Sequence, residues 1–213
     1  MSVELRLALP PEWYRWDPEN EVESSARGID AFLADHPEFA AARQALLRLL
    51  LDAWADAAEQ DAIAAAVLWQ PAPGAALAAR LVVLVAERKV PGDEPAEIAA
   101  LLDALSTPST NDLGPRECEP VELSAGRAVR LRRLTRTGDA DPGGPEMAVD
   151  TVQHWIPVPG GTETVVLAAE TPCVAVASDL AEVFDAIAAS LELLGAGQSD
   201  VKPGPEGDDR AAM

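Results

Sequence analysis

Two histidines, His36 and His154, and two cysteines, Cys118 and Cys173, are the chain's whole supply of thiol and imidazole groups. The histidines do not form an HExxH pair, the cysteines lack metal-ligand spacing, and no GxSxG elbow is present. One couple remains conceivable, a Cys173 thiol activated by His154 as a base within hydrogen-bond reach. The ordinary alternative, a buried thiol and an outward or edge-strand histidine, is the expectation. Carboxylates alternate at Asp139 and Asp141 in a Gly/Pro-rich stretch, and Asp150 stands twelfth counting from Asp139, as in part of a calcium loop. Gly143 and Pro145 occupy two ligand positions and the bidentate Glu is missing, so too few oxygens remain to replace water. A solvated hairpin loop is expected there, and no catalytic residue, metal or cofactor is expected anywhere. Phosphate cradles of the GxxxxGK[ST] or GxGxxG kind are likewise missing.

Charge and aromatic clusters offer binding instead. Arg127, Arg130, Arg132, Arg133 and Arg136 fall within ten residues that contain no acid. On a strand, Arg130, Arg132 and Arg136 share one face while Arg127 and Arg133 share the other with Val129 and Leu131. Cross-strand pairing with Glu117, Glu119, Glu122 and Asp150 is the plain reading, each pair worth a few tenths to about 1 kcal/mol. Forked guanidinium contacts to an acidic partner segment are the functional one. Trp13, Tyr14 and Trp16 carry the same ambiguity, since alternation exposes one pair and buries the other, and core packing of most of them is expected. Trp54 and Trp69 read as core, and Trp155 fits either setting. The candidate partner-binding residues are thus Trp13, Trp16, Arg130, Arg132, Arg136 and Trp155.

These residues sit in a chain of 213 residues with a formal net charge of −20, 36 acidic against 16 basic side chains. A field of that sign repels nucleic-acid backbones and anionic lipid, so neither is an expected partner. Fourteen of the basic residues are arginine, and alanine recurs throughout, a bias typical of GC-rich coding. The 48% hydrophobic content supports a sizeable core, whereas no window approaches a membrane span. Glu4 and Arg6 stand where a signal peptide would be apolar, which leads to a cytoplasmic expectation.

Periodicity supplies the elements. Val3 to Leu9 alternates as a strand, Trp13 to Asp17 reads as a second, and two helices follow, the first stopped by His36-Pro37. The second carries a stripe that includes Phe39, Leu46, Leu49, Leu50, Ala53 and Trp54. Ile63 to Gln70 and Ala76 to Val90 read as strands, the latter interior because Leu81 to Val85 is apolar on both faces. A third helix after Asp93 carries Ile98, Leu101, Leu102 and Leu105. Strands over 116–123, 127–137, 147–158 and 164–170 then make an antiparallel meander. A last helix from Ser178, apolar along Leu180, Val183, Phe184, Ile187, Leu191 and Leu194, is expected to stop at Gly195. The order ββααββαββββα predicts an α+β fold, a central antiparallel sheet covered by helices. Residues 1–194 read as one domain and 195–213 as a disordered acidic Gly/Pro tail.

The run from Trp155 to Gly161, leading through a strand to Leu180 through Ile187, together with the opening Leu9-Pro10-Pro11-Glu12-Trp13, resembles the PsbP-like α/β/α sandwich family. That fold occurs in an extrinsic photosystem II subunit, a Ran-binding nuclear import factor and actinobacterial lipoproteins. The resemblance spans roughly residues 3–194 and carries over no catalytic residue; this chain departs from the lipoproteins in lacking a lipidation cysteine. It implies a scaffold used largely for binding other proteins. A non-enzymatic protein-binding accessory, adaptor or chaperone-like, using the sheet face and its rim, is the resulting expectation. The alternative is a small-ligand binder or enzyme with a pocket near Cys173 and His154.

Overall fold

The computed structural model describes residues 4–72, 75–87, 93–137 and 147–194. The calcium-like stretch at 138–146 and the tail at 195–213 lie outside the described residues.

Two short strands, β1 (Glu4–Arg6) and β2 (Trp13–Arg15), precede helix α1 (Glu21–Asp35). His36-Pro37 ends α1 and opens a 3-10 segment, Pro37–Ala42, that turns the chain into α2 (Arg43–Glu59). The hairpin strands β3 (Ala64–Ala72) and β4 (Ala75–Glu87) follow, then α3 (Glu94–Ser106). The meander is β5 (Glu117–Leu123), β6 (Gly126–Thr137), β7 (Met147–Pro157) and β8 (Glu163–Thr171). A 3-10 turn, Val174–Val176, feeds α4 (Ala177–Ala189), and β9 (Glu192–Leu194) closes the described chain.

Seven strands form one antiparallel sheet in the order β2-β3-β4-β8-β7-β6-β5. The doubly apolar β4 is interior, as its sequence predicts, paired with β3 on one side and β8 on the other. The β5–β6 turn is closed by Gly126 at φ +125°, a conformation that L side chains rarely adopt.

Helices cover both faces because strand alternation makes both apolar. On one face Leu81, Val83, Val152, Ile156, Val165 and Leu167 meet Leu180, Phe184 and Ile187 of α4. Full burial of a side chain such as Phe184 stabilises the fold by about 1.5–3 kcal/mol. On the opposite face Ile29 and Phe32 of α1 and Leu46, Leu50 and Trp54 of α2 pack over Ala65 and Val82. Buried Trp54 donates its indole N–H to Ser25 Oγ at 2.9 Å, joining the two helices. Helix α3 covers the other half of the sheet, against β5, β6 and β7, around buried Ile98.

The closing helix differs from its expected extent. It ends at Ala189, where Ser190 Oγ donates to Ile187 O at 2.6 Å, and the continuing chain becomes a strand instead of running helically to Gly195. β9 pairs antiparallel with β1 in a separate two-stranded sheet, so contact between segments far apart in sequence overrides the local helical period. Among the described residues, no helix is long and apolar enough to cross a membrane.

Candidate functional site

The six candidate partner-binding residues do not converge. Trp13 on β2 and the arginines on β6 are five strand spacings apart, roughly 24 Å. Trp13 is buried, its ring edge-on to Phe184 with centroids 6.2 Å apart, so it acts as core. Trp16 is half-buried against the α1–α2 cluster and donates its indole N–H to Glu21 Oε2 at 3.1 Å. Trp155, half-buried on β7, donates to Gln153 Oε1 at 3.1 Å.

The arginine strand is largely engaged within the fold. Arg130 Nε donates to Asp185 Oδ1 on α4 at 2.8 Å, and its Nη1 lies 3.6 Å from Glu119. Arg132 is forked onto buried Asp150 at 3.2–3.3 Å and also donates to Ser178 Oγ. Hydrogen bonding by Asp150 raises the Arg132 pKa further, against the opposing effect of burial. Arg127 meets Glu122 at 3.0 Å on the opposite face. Cross-strand pairing with Glu119, Glu122 and Asp150 is therefore present, and Asp185, an acid from outside the sheet, is the partner that strand arithmetic does not supply. Arg136 is exposed near the end of β6, with its backbone N–H bonded to Asn111 O at 3.0 Å.

His154 is neither outward nor on an edge. It lies on interior β7, 1% exposed, beneath α4. Because a carboxylate accepts, Nε2 carries the hydrogen that meets Asp185 Oδ1 at 3.0 Å, and Nδ1 is buried without a hydrogen-bond partner among the described residues. Burial pushes the Asp185 carboxyl up, but hydrogen bonds from His154 and Arg130 outweigh it and hold the acid below its ordinary value. The His–Asp pair has the orienting half of a catalytic triad. Among the described residues, no hydroxyl or thiol lies within bonding reach of Nδ1 to act as nucleophile.

Cys173 does not supply one. It follows Thr171, which pairs with Asp150, and His154 is four residues further along β7, so more than about 13 Å separates them. The Cys173 sulfur accepts the Ala78 backbone N–H at 3.4 Å. The couple conceivable from sequence is therefore not formed. Both cysteines are thiols, half-buried instead of fully buried. Among the described residues, no three His, Cys, Asp or Glu side chains cluster as metal ligands would.

A concave feature lies elsewhere, on the sheet face beside α2. A groove of about 430 Å³ runs between α2 and five strands, β2, β3, β4, β8 and β7. Leu46, Leu49, Leu50 and Ala53 of α2 form its wall. Val67 and Trp69 of β3, Ala78 of β4 and Val149 of β7 form its floor. Leu49 is 65% and Met147 50% exposed, so large apolar side chains stand open at its margin. Polar groups gather at Arg80, which reaches Glu170 at 2.9 Å and Asp56 at 3.4 Å while its Nε is buried without a hydrogen-bond partner among the described residues. Asp52 lines the same groove and is exposed. None of this was singled out from sequence, where the α2 stripe reads simply as core. The signal was its width, since one sheet contact cannot cover Leu46, Leu49, Leu50, Ala53 and Trp54 together.

No protein-family model matches the chain, and no curated protein matches it. Among solved structures it is similar to LpqN, involved in cell envelope biogenesis of Mycobacterium tuberculosis, at 12% identity and a TM-score of 0.43. That likeness covers 90% of this chain and 84% of LpqN.

Proposed function

We propose that this chain is a non-enzymatic cytoplasmic binding protein, an adaptor or chaperone-like accessory of the PsbP-like α/β/α type, whose work is to hold a protein partner. One observation carries the reading: an open apolar groove beside α2, flanked by exposed Leu49 and Met147. Contiguous apolar surface rimmed by polar groups marks interaction sites. Trp13, Arg130 and Arg132 are engaged within the fold, which supports the groove over the rim as the proposed binding surface. A net charge of −20 favours a basic partner, because complementary fields speed encounter.

The test is affinity purification of tagged protein from its host at low and moderate salt, with a Leu49→Asp variant in parallel. Leu49 is exposed, so the substitution alters the groove margin without opening the core. The expected result is a stoichiometric, salt-sensitive protein retained by the wild type and lost by the variant. Retention of no such partner, or retention indifferent to Leu49→Asp, overturns the reading. The groove's volume favours one second reading, a small-ligand binder, since sites for such ligands span roughly 300–1,000 Å³.

A further inference from the structure

We propose that the groove receives a short basic amphipathic helix of the partner protein; this rests on the reading of the groove as a protein-binding surface. Three observations select that occupant. The first is length. Leu46, Leu49, Leu50, Ala53 and Asp56 line the groove along eleven residues of α2, a rise of roughly 15 Å. The floor crosses from β3 through β4 and β8 to β7, three strand spacings or roughly 14 Å. Two to three helical turns have that length.

The second is backbone chemistry. The floor is a sheet face, not an edge, and β4, β8 and β7 are each paired on both sides. An extended segment laid there has no ladder to join and would press unpaired N–H and C=O groups against Val67, Trp69 and Val149. A helix satisfies its own backbone and offers side chains at i, i+3, i+4 and i+7 to an apolar slot.

The third is charge. Among the described residues lining the groove, Asp52, Asp56 and Glu170 bring three carboxylates against one guanidinium, Arg80. Arg80 already bridges Asp56 and Glu170, leaving exposed Asp52 as the carboxylate positioned to receive an incoming arginine or lysine. The bound helix therefore turns leucine-like residues toward Trp69 and Leu50 and keeps a basic residue at the Asp52 margin.

The experiment uses the full chain and a fluorescein-labelled model peptide of about 14 residues, with leucines at helical spacing and flanking arginines. Matched probes are a scrambled peptide of identical composition, a peptide with glutamate in place of arginine, and dodecyltrimethylammonium. Binding is followed by anisotropy, with displacement for the unlabelled amphiphile. The amphipathic basic peptide is expected to bind at least about tenfold more tightly than the scrambled and acidic ones. Asp52→Lys is expected to weaken it by about tenfold, and Leu49→Asp to remove it. Asp103→Lys changes net charge equally from exposed α3 and is expected to leave affinity unchanged. Equal binding of the scrambled peptide, equal effects of Asp52→Lys and Asp103→Lys, or a Leu49-dependent site for the amphiphile alone each overturn the proposal. If host purification still yields a partner lost on Leu49→Asp, those outcomes remove the helix and leave the protein-binding groove standing. If Leu49→Asp changes neither peptide binding nor partner retention, both fall.

Discussion

The carboxylate of Asp185 stands 39% exposed on α4, yet it accepts hydrogen bonds from two side chains of the sheet below. One is the guanidinium of Arg130 at 2.8 Å and the other the ring of buried His154 at 3.0 Å. Burial alone would raise its pKa; the two donors reverse the sign and lower it. An acid depressed in the folded state adds stability that is fully present above its unfolded pKa, about 4, and lost as pH falls through the lower folded value. Asp185→Asn should therefore destabilise the chain at pH 7 by about 1 kcal/mol, a small figure because the side chain is partly solvated. The gap between wild type and variant in urea unfolding should narrow as pH is lowered through 4 toward 3. A gap that stays constant across that range would mean that Asp185 contributes through packing and not through its charge. The same residue explains a failure of sequence reading at His154. Val152 and Ile156, two places either side, are both apolar and buried, so alternation already set His154 on the inner face; its partner on α4 was the part that strand spacing could not supply.

At the scale of elements, α1 approaches β2 through Gly28, where an added Cβ would stand 2.8 Å from Tyr14 Cδ1 and 3.1 Å from Cε1. In an open helix, Gly→Ala gains about 1 kcal/mol from propensity. Here the ring must move, so Gly28→Ala should destabilise by about 1–2 kcal/mol. In a Tyr14→Ala background the same substitution should become stabilising, and a double-mutant cycle in urea reads the change of sign. Persistence of the penalty without the ring would place the strain elsewhere in α1. Elements whose signal is local were legible from their residues: the stop at His36-Pro37, the doubly apolar β4, and the meander with its turn at Gly126. β9 was not, because Leu191 and Leu194 continue the helical period of α4 and it is pairing with β1, nearly two hundred residues away in sequence, that makes the strand worthwhile. The groove was hidden for a related reason. Leu49 and Leu50 are neighbours with equal claims to burial, and only the placement of α2 on the sheet leaves Leu49 65% exposed while Leu50 is 6% exposed.

For the whole molecule, an excess of twenty negative charges acts on folding and on association with opposite signs. Within one chain the acids outnumber the cations available to pair with them, so the net long-range term is self-repulsion, which favours the unfolded state. Salt screens it, since the Debye length shrinks from roughly 20 Å at 0.02 M to roughly 4 Å at 0.5 M. Ion pairs such as Arg27–Glu23 and Arg6–Glu192 are exposed and contribute little for salt to remove. The melting temperature at pH 7 should therefore rise over that salt range. At a pH near the isoelectric value of 4.3 the repulsion is gone and the rise should disappear. The groove should respond the other way, because attraction between Asp52 and a basic helix is screened by the same ions: raised salt should stabilise the free chain and weaken its complex. Thermal melts with and without the basic model peptide resolve the two together, as a falling difference between two curves that both move upward. Curves rising in parallel would mean that the peptide is held by its leucines alone, and that the acidity of the chain serves its solubility and not the recognition of a partner.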